Sequence, residues 1–564
     1  MATITHILML IAFLAGPRLV GSVDAAAPGL GQARLPGVAP AIHALLDPDR
    51  HPSLELLAAA ERQQLTALYA PGCNLPIWVD AEGRPNPDAR EALMLLKSAG
   101  ADGLSPAAYN AVTLEEWAAR LEAAPDTVPN LAAFDVLLSL NTLRYFRHLH
   151  AGRVDPHAIG LRITVPADGH DVPALLRAGR NRHRIAAAAA DLAPPLALYR
   201  RLRGMLARYR SLAADPALTW SPAFGGVLHP GERHVELLAL HRRLLALGDV
   251  LAAAPAPAEG APYEGVLVDG VRRFQVRHGL QPDGVIGAAT QAALRVPFSW
   301  RVRQIELALE RLRWLPHLGE QRFLAVNIPM FRLWAWDEVL ATGVPSFGTG
   351  VIVGRALNTQ TPIFVEEMRD VIFRPYWNVP SSILRHEILP ALARDPDYLQ
   401  RHDMEIVSGE SDSAASVAVT ADNLARLGGG RLRVRQRPGP NNALGLVKFV
   451  LPNDSNIYLH GTPAPELFSR ARRDFSHGCV RVEDPVALAE WALKGQPEWT
   501  RQRILAAMNG HTSRRVPLTQ PITVILFYIT AVVMPEDDSI HFADDIYGHD
   551  ARLDRALAAG GLSP

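Results

Sequence analysis

Asp474-Phe475-Ser476-His477-Gly478-Cys479-Val480-Arg481, preceded by Tyr458-Leu459-His460-Gly461-Thr462-Pro463, is the stretch on which the reading of this chain turns. The chain has only two cysteines, and this one lies beside a glycine, two histidines and an arginine. A free thiol titrates near ~8.5 and is mostly protonated at neutral pH. An imidazole within hydrogen-bond reach can take that proton and make the sulfur a nucleophile. Glycine ahead of the nucleophile lets the backbone turn sharply and lets a substrate come close. The N–H groups of such a turn can hold a developing oxyanion. The pattern suits acyl transfer through a thioester. Two other readings of the same residues stand beside it. His460, His477 and Cys479 could form a partial zinc site, which would want a further ligand. Cys479 could also be an inert buried thiol.

At 564 residues the chain is long enough for three or more domains. Hydrophobic residues are 48% and charged residues 20%, the balance of a globular protein. The formal net charge is zero, which gives no electrostatic case for nucleic acid or for an anionic membrane. Lysine occurs only at Lys97, Lys448 and Lys494, so arginine supplies nearly all of the 57 basic residues. Residues 7–16 form a short apolar run, and Val23-Asp24-Ala25 fits a small-residue cleavage site, so residues 1–25 read as an export signal. Its amino-terminal flank has His6 but no Lys or Arg. The run falls short of the ~20 apolar residues of a membrane span. The other apolar run, 522–534, is rich in β-branched residues and reads as a core strand. Cys73 reads as a small buried hydrophobe, since pairing it with Cys479 would abolish the chemistry.

Residues 40–250 carry apolar positions at helical spacing over 54–69, 131–150, 195–212 and 235–247 and read as a helical scaffold without chemistry of its own. A Pro/Ala-rich linker follows at 251–262. In the compact unit 263–296, Leu267, Val271 and Phe274 share one helical face, Gly279 reads as a C-cap, Pro282-Asp283-Gly284 as a turn and 288–294 as a second helix. A unit this small needs to pack on a neighbour. Over 300–550 an amphipathic helix through Val302, Ile305, Leu309 and Leu312 leads into strand-like alternation at 324–328, 331–336, 350–353, 446–451, 455–460 and 523–533. Residues 377–440 break that pattern and read as helix and loop, with a polar, mobile stretch at 408–416.

Ser476-His477-Gly478-Cys479-Val480-Arg481 after His460-Gly461-Thr462 resembles the signature of the YkuD-type L,D-transpeptidases. Val326-Asn327-Ile328-Pro329, Pro375-Tyr376-Trp377-Asn378-Val379-Pro380 and Pro438-Gly439-Pro440-Asn441-Asn442-Ala443-Leu444-Gly445 are similar to the large YcbB-type branch. So are Trp78, Asp102-Gly103-Leu104 and Gly152-Arg153-Val154-Asp155-Pro156. Phe274-Gln275, Asp283-Gly284 and Thr290 resemble a peptidoglycan-binding module.

The resemblance implies an α+β multidomain protein: a helical scaffold, a small three-helix-type module, and a β-rich, mixed β-sandwich-like catalytic domain with a helical and loop capping insertion at 377–440. It implies a periplasmic, cofactor-free and metal-free enzyme acting on peptidoglycan stems and glycan. Cys479 would attack the carbonyl before the terminal D-alanine of a tetrapeptide stem, and a neighbouring stem's side-chain amine would take the acyl group in a 3→3 cross-link. His460 matches the general acid/base position, with His477 supporting. Gly478 and Cys479 would offer oxyanion donors, Ser476 would stabilise the loop, and Gly461 or Thr462 would orient His460 through a carbonyl. Arg481 either binds a stem carboxylate or braces the loop. Trp377 and Tyr458 are either aromatic walls of the pocket or packing residues. Water as acceptor would make the protein an L,D-carboxypeptidase, and a protein lysine would make it an anchoring enzyme. A peptidoglycan-binding structural protein with a vestigial site is the non-catalytic alternative. Sequence leaves the oligomeric state open.

Overall fold

The computed structural model describes residues 36–47, 57–72, 75–124, 126–163, 165, 170–218, 222–315, 321–337, 343–357, 359–409, 411 and 413–560. The expected export signal and Cys73 lie outside the described residues.

Helices Val38–Leu46, Ala59–Tyr69, Pro87–Ser98, Ala111–Ala123, Val172–Asn181 and Ile185–Ala190 gather around a long helix, Val128–Ala151. That central helix is buried on nearly every side, and its buried Asp135 and Ser139 are hydrogen-bonded. Asp135 accepts from the Tyr69 hydroxyl at 2.6 Å and the Trp78 amide at 2.7 Å, and Ser139 accepts from the Trp78 indole at 2.8 Å. The helix ends at Gly152, whose φ is +82°. A Cβ there would stand 2.7 Å from Glu310 Oε1 and 2.8 Å from Trp314 Nε1. Glycine therefore lets this corner sit against the helix Phe298–Leu312. Glu310 accepts from the Arg153 and Val154 amides and pairs with Arg313, which also binds the Asp102 carbonyl and the Tyr199 hydroxyl. The Gly152-to-Pro156 and Asp102-Gly103 motifs thus join the scaffold to the helix that leads into the sheet.

Helices Val266–Arg277 and Ala288–Arg295 form the small module, with Leu267, Val271 and Phe274 buried together. Gly279 takes a φ of +63°. Gln275 is buried and holds the following turn, bonding Asp283, the Val285 carbonyl, Thr290 and the Gly284 amide. This core is continuous with helices Leu237–Leu247 and Ala197–Ala214 and with Phe323 and Trp334.

The strands, in chain order, are β1 Phe323–Asn327, β2 Arg332–Trp336, β3 Phe347–Gly354, β4 Phe364–Phe373, β5 Trp377–Asn378, β6 Met404–Val407, β7 Ser416–Val417, β8 Arg433–Gln436, β9 Val447–Val450, β10 Leu459–His460, β11 Asp474–Ser476, β12 Val480–Val482, β13 Arg514–Phe527, β14 Ala531–Val533 and β15 Ile540–Phe542. Nine of them form one mixed sheet in the order β11-β3-β12-β10-β9-β4-β13-β1-β2, and β2 also pairs with β3. That last pairing closes the sheet on itself. The β-rich domain expected to be mixed and sandwich-like is thus built on a barrel-like sheet, whose closure removes exposed edges. The expected strand over 455–460 shrinks to Leu459–His460, and 523–533 divides between β13 and β14. Among the described residues no helix is long and apolar enough to cross a membrane.

The insertion is more regular than its sequence suggested. β5, β8, β6 and β7 make a separate sheet, covered by helices and built on Val379, Leu384, Ile388, Ile406, Leu427 and Val434. Val407 of β6 pairs with Ser416 of β7, at the two ends of the polar stretch. Asn442 bonds the Pro375 and Arg437 carbonyls, stapling the two ends of the insertion together beside the barrel.

Candidate active site

Three short strands set the site. In the register, His460 on β10 lies opposite Lys448 on β9 and Arg481 on β12, while Leu459 lies opposite Phe449 and Val480. Side chains alternate across a sheet, so Leu459, Phe449 and Val480 enter the core. Lys448, His460 and Arg481 take the other face, with Tyr458 and Cys479 one alternation earlier. A cleft of about 880 Å³ opens there, lined by Cys479, His460, Tyr458, Ser476, His477 and Arg481 of the barrel and by Trp377, Ile383, His386 and Glu387 of the insertion.

His460 is buried, and its Nδ1 donates to the Gly461 carbonyl at 2.6 Å. This fixes the tautomer in which Nε2 carries the lone pair. Burial, with the charges of Arg481 and Lys448, pushes its pKa down to about 3 against the opposing pull of the Gly461 and Leu444 carbonyls. The imidazole is neutral and able to accept a proton. Gly461 is the residue whose carbonyl orients it. Thr462 instead accepts from the Ala464 amide at 3.2 Å and shapes the following turn. Gly445, at a φ of +63°, lets the preceding loop press on this corner, since a Cβ there would meet Thr462 N at 2.5 Å.

Cys479 is half-buried, and its thiol donates to the Asn456 carbonyl at 3.7 Å. Asn456 itself has a φ of +52°. Burial pushes the thiol pKa up, while the backbone and hydroxyl of Tyr458 and the charges of Lys448 and Arg481 pull it back. The resting pair is thus a neutral thiol and a neutral imidazole.

The loop that carries Cys479 is held from inside. Ser476 donates to the Cys479 carbonyl at 2.6 Å and accepts from the Gly478 amide at 3.1 Å. The Gly478 N–H, expected as an oxyanion donor, is engaged here by Ser476 in a turn at a φ of +115°. Thr361 donates to the Gly478 carbonyl at 2.7 Å and accepts from the Gly354 amide at 2.9 Å. His477 faces outward, and its Nε2 lies 2.7 Å from Glu387 Oε1 on the insertion. Arg481 presents a buried Nε with no hydrogen-bond partner. Burial lowers its pKa, and Arg355 adds a second positive charge nearby. The Tyr458 hydroxyl meets the Trp377 side chain and the Cys479 sulfur, and Lys448 Nζ sits 3.9 Å from the Tyr458 ring centroid.

Three family models match the chain: a scaffold domain over residues 63–206, a “Putative peptidoglycan binding domain” over 233–294, and the YkuD L,D-transpeptidase catalytic domain over 321–499. The last encloses every residue of the cleft. The chain carries a YkuD-type L,D-transpeptidase catalytic domain. A Haemophilus influenzae (strain KW20) protein named “Putative L,D-transpeptidase” is 31% identical over 254 residues, 45% of this chain and 49% of that protein. The chain thus spans about half the length of this curated relative.

Several residues that shape the YkuD site escaped the sequence reading. Lys448 was visible as a rare lysine at an alternate position between buried Val447 and Phe449, a usable signal. Asn456, Arg355 and Glu387 carry no local signal, because each reaches the cleft only through the closure of the barrel or the placement of the insertion.

Proposed function

We propose that this protein is a peptidoglycan L,D-transpeptidase working through a thioester on Cys479. The observation that carries this reading is the neutral His460, tied by Nδ1 to Gly461, in one cleft with Cys479 and the guanidinium of Arg481. Arg481 and Arg355 hold a stem carboxylate, Arg481 through its unpartnered Nε. The sulfur attacks the carbonyl before the terminal D-alanine as its proton passes to His460 Nε2. The C–N bond breaks, His460 returns the proton to the leaving amine, and a thioester remains. The side-chain amine of a neighbouring stem then attacks, the C–S bond breaks, and the thiol is restored through His460. The Cys479 N–H and the Tyr458 hydroxyl stabilise the oxyanion in both steps. Burial keeps Tyr458 protonated and able to donate.

On this reading the labour divides among a scaffold (expected at 40–250), a linker (251–262), a module (263–296, where the matching family model begins at 233) that holds wall polymer near the site, and a catalytic domain (300–550) capped by 377–440. Work on peptidoglycan places the protein outside the cytoplasm. Incubation with purified disaccharide-tetrapeptide followed by mass spectrometry tests the reading. A dimer lacking one D-alanine is expected; a tripeptide product makes the protein a carboxypeptidase instead. Cys479→Ala is expected to lose both the dimer and covalent labelling by a carbapenem, and persistent labelling would overturn the nucleophile.

A further inference from the structure

Glu387 is the one carboxylate among the described residues that line the cleft, where Arg355, Arg481, His386 and His477 also stand. It sits on a five-residue π-helical turn, Leu384–Ile388, inside the otherwise regular helix of the insertion. Such a turn departs from normal helical bonding and is frequent at functional sites. In the free protein its Oε1 meets His477 Nε2 at 2.7 Å, two residues from the nucleophile. Both side chains are partly exposed, with 32% and 51% of their surfaces accessible. A pair that open to solvent contributes little to holding the insertion down. A better account follows from the charges of the cleft: two guanidinium groups line it together with a single carboxylate among its described residues, and that carboxylate stands beside the loop of Cys479.

We propose that Glu387 selects the acceptor by binding the protonated side-chain amine of the diamino-acid residue in the incoming stem. This rests on the thioester reading above. The ammonium takes the place that the His477 N–H holds in the free protein, beside the loop that carries the acyl group. One of its protons then leaves to solvent through the partly exposed Glu387 carboxylate. The resulting amine attacks the thioester carbonyl, the C–N bond forms and the C–S bond breaks. The remaining extra proton passes from the nitrogen to His460 and on to the Cys479 sulfur. Water needs no such carboxylate, so Glu387 biases the acyl-enzyme toward cross-linking over hydrolysis.

The test uses the full chain and the near-isosteric Glu387→Gln. The acyl-enzyme is formed with a tetrapeptide donor and divided between water and an added nucleophile, and products are weighed. Two nucleophiles are compared at mildly alkaline pH: a cationic diamino-acid peptide and hydroxylamine, which is largely neutral there. The expected result is a fall of about tenfold in the amine-to-hydrolysis ratio for the cationic peptide, equivalent to ~1.4 kcal/mol. The hydroxylamine ratio is expected to hold, and Glu387→Asp to recover part of the loss. Equal falls for both nucleophiles would mean a displaced cap, and no change for either would mean a bystander; each overturns the proposal. Failure of the unaltered protein to form any acyl-enzyme removes the thioester reading and this inference together.

Discussion

At the scale of single residues the site is a matter of charge placed around two neutral groups. Lys448 and Arg481 flank His460 and also reach the sulfur. Their positive charge disfavours imidazolium and favours thiolate, so it lowers both pKa values. Replacing Lys448 with Met is therefore expected to raise both. Iodoacetamide labelling of Cys479, followed against pH, should show its alkaline midpoint move upward; an unmoved or lower midpoint would dissociate Lys448 from the sulfur. The two histidines separate on the same grounds. His460→Ala removes a buried base and is expected to slow acylation by about 10²–10⁴-fold. His477→Ala removes a partly exposed group bound to Glu387 and is expected to cost far less in the acylation step. Stopped-flow acylation by a carbapenem ranks them, and the reverse order would exchange their roles. The proposed pair, Cys479 and His460, is marked in the chain by its neighbours Gly478 and Gly461. The part of Gly478 was not legible, since the engagement of its N–H by Ser476 depends on how the turn closes.

At the scale of elements, short strands aim side chains and buried bonds keep them aimed. Thr361 joins the Gly354 amide of β3 to the Gly478 carbonyl. Thr361→Val keeps the shape and leaves both groups without their partner. It is expected to cost ~1–3 kcal/mol, read as a lower urea midpoint, and to slow acylation as the loop loosens. The strand β4 shows why element boundaries resisted sequence reading. Glu366, Glu367, Arg369 and Asp370 interrupt any apolar alternation, yet the segment pairs with both β9 and β13. Arg515 of β13 answers Asp370 at 2.7 Å, a cross-strand partner far away in the chain. The insertion behaved the same way: its four strands are short, and they find each other only through a shared core.

At the scale of the molecule, buried polar groups join the parts and make the whole sensitive to acid. Glu310 and Arg313, with side chains 3% and 0% exposed, tie the scaffold to the helix entering the barrel. Glu310→Gln leaves a buried guanidinium uncompensated and is expected to cost about 3–5 kcal/mol in a urea titration. His541 and His549 are each pushed down to about 4, first by burial and then by the charges of Arg277 and Arg311 respectively. Unfolded histidine titrates near ~6.5. Between these values the unfolded chain binds more protons than the folded one, so stability is full above about pH 6.5 and falls as the pH drops toward 4. The loss is at most ~3 kcal/mol for each residue, less for the partly exposed His541. His549→Gln is expected to flatten the pH dependence of the urea midpoint over that window, and an unchanged slope would place the acid sensitivity elsewhere.

The chain by itself determined its broad plan: a thiol and an imidazole each beside a glycine, helices where apolar residues recur in helical register, and strands where they alternate. These are local properties, set by backbone freedom and side-chain periodicity within a few residues. Only the tertiary structure decided that the sheet closes on itself, that Lys448 and Arg481 bracket His460, that Asn456 and Tyr458 meet the sulfur, and that Glu387 reaches the nucleophile loop. Those outcomes depend on strand register and on contacts between segments far apart in sequence, where burial and charge are shared among groups that no single stretch contains.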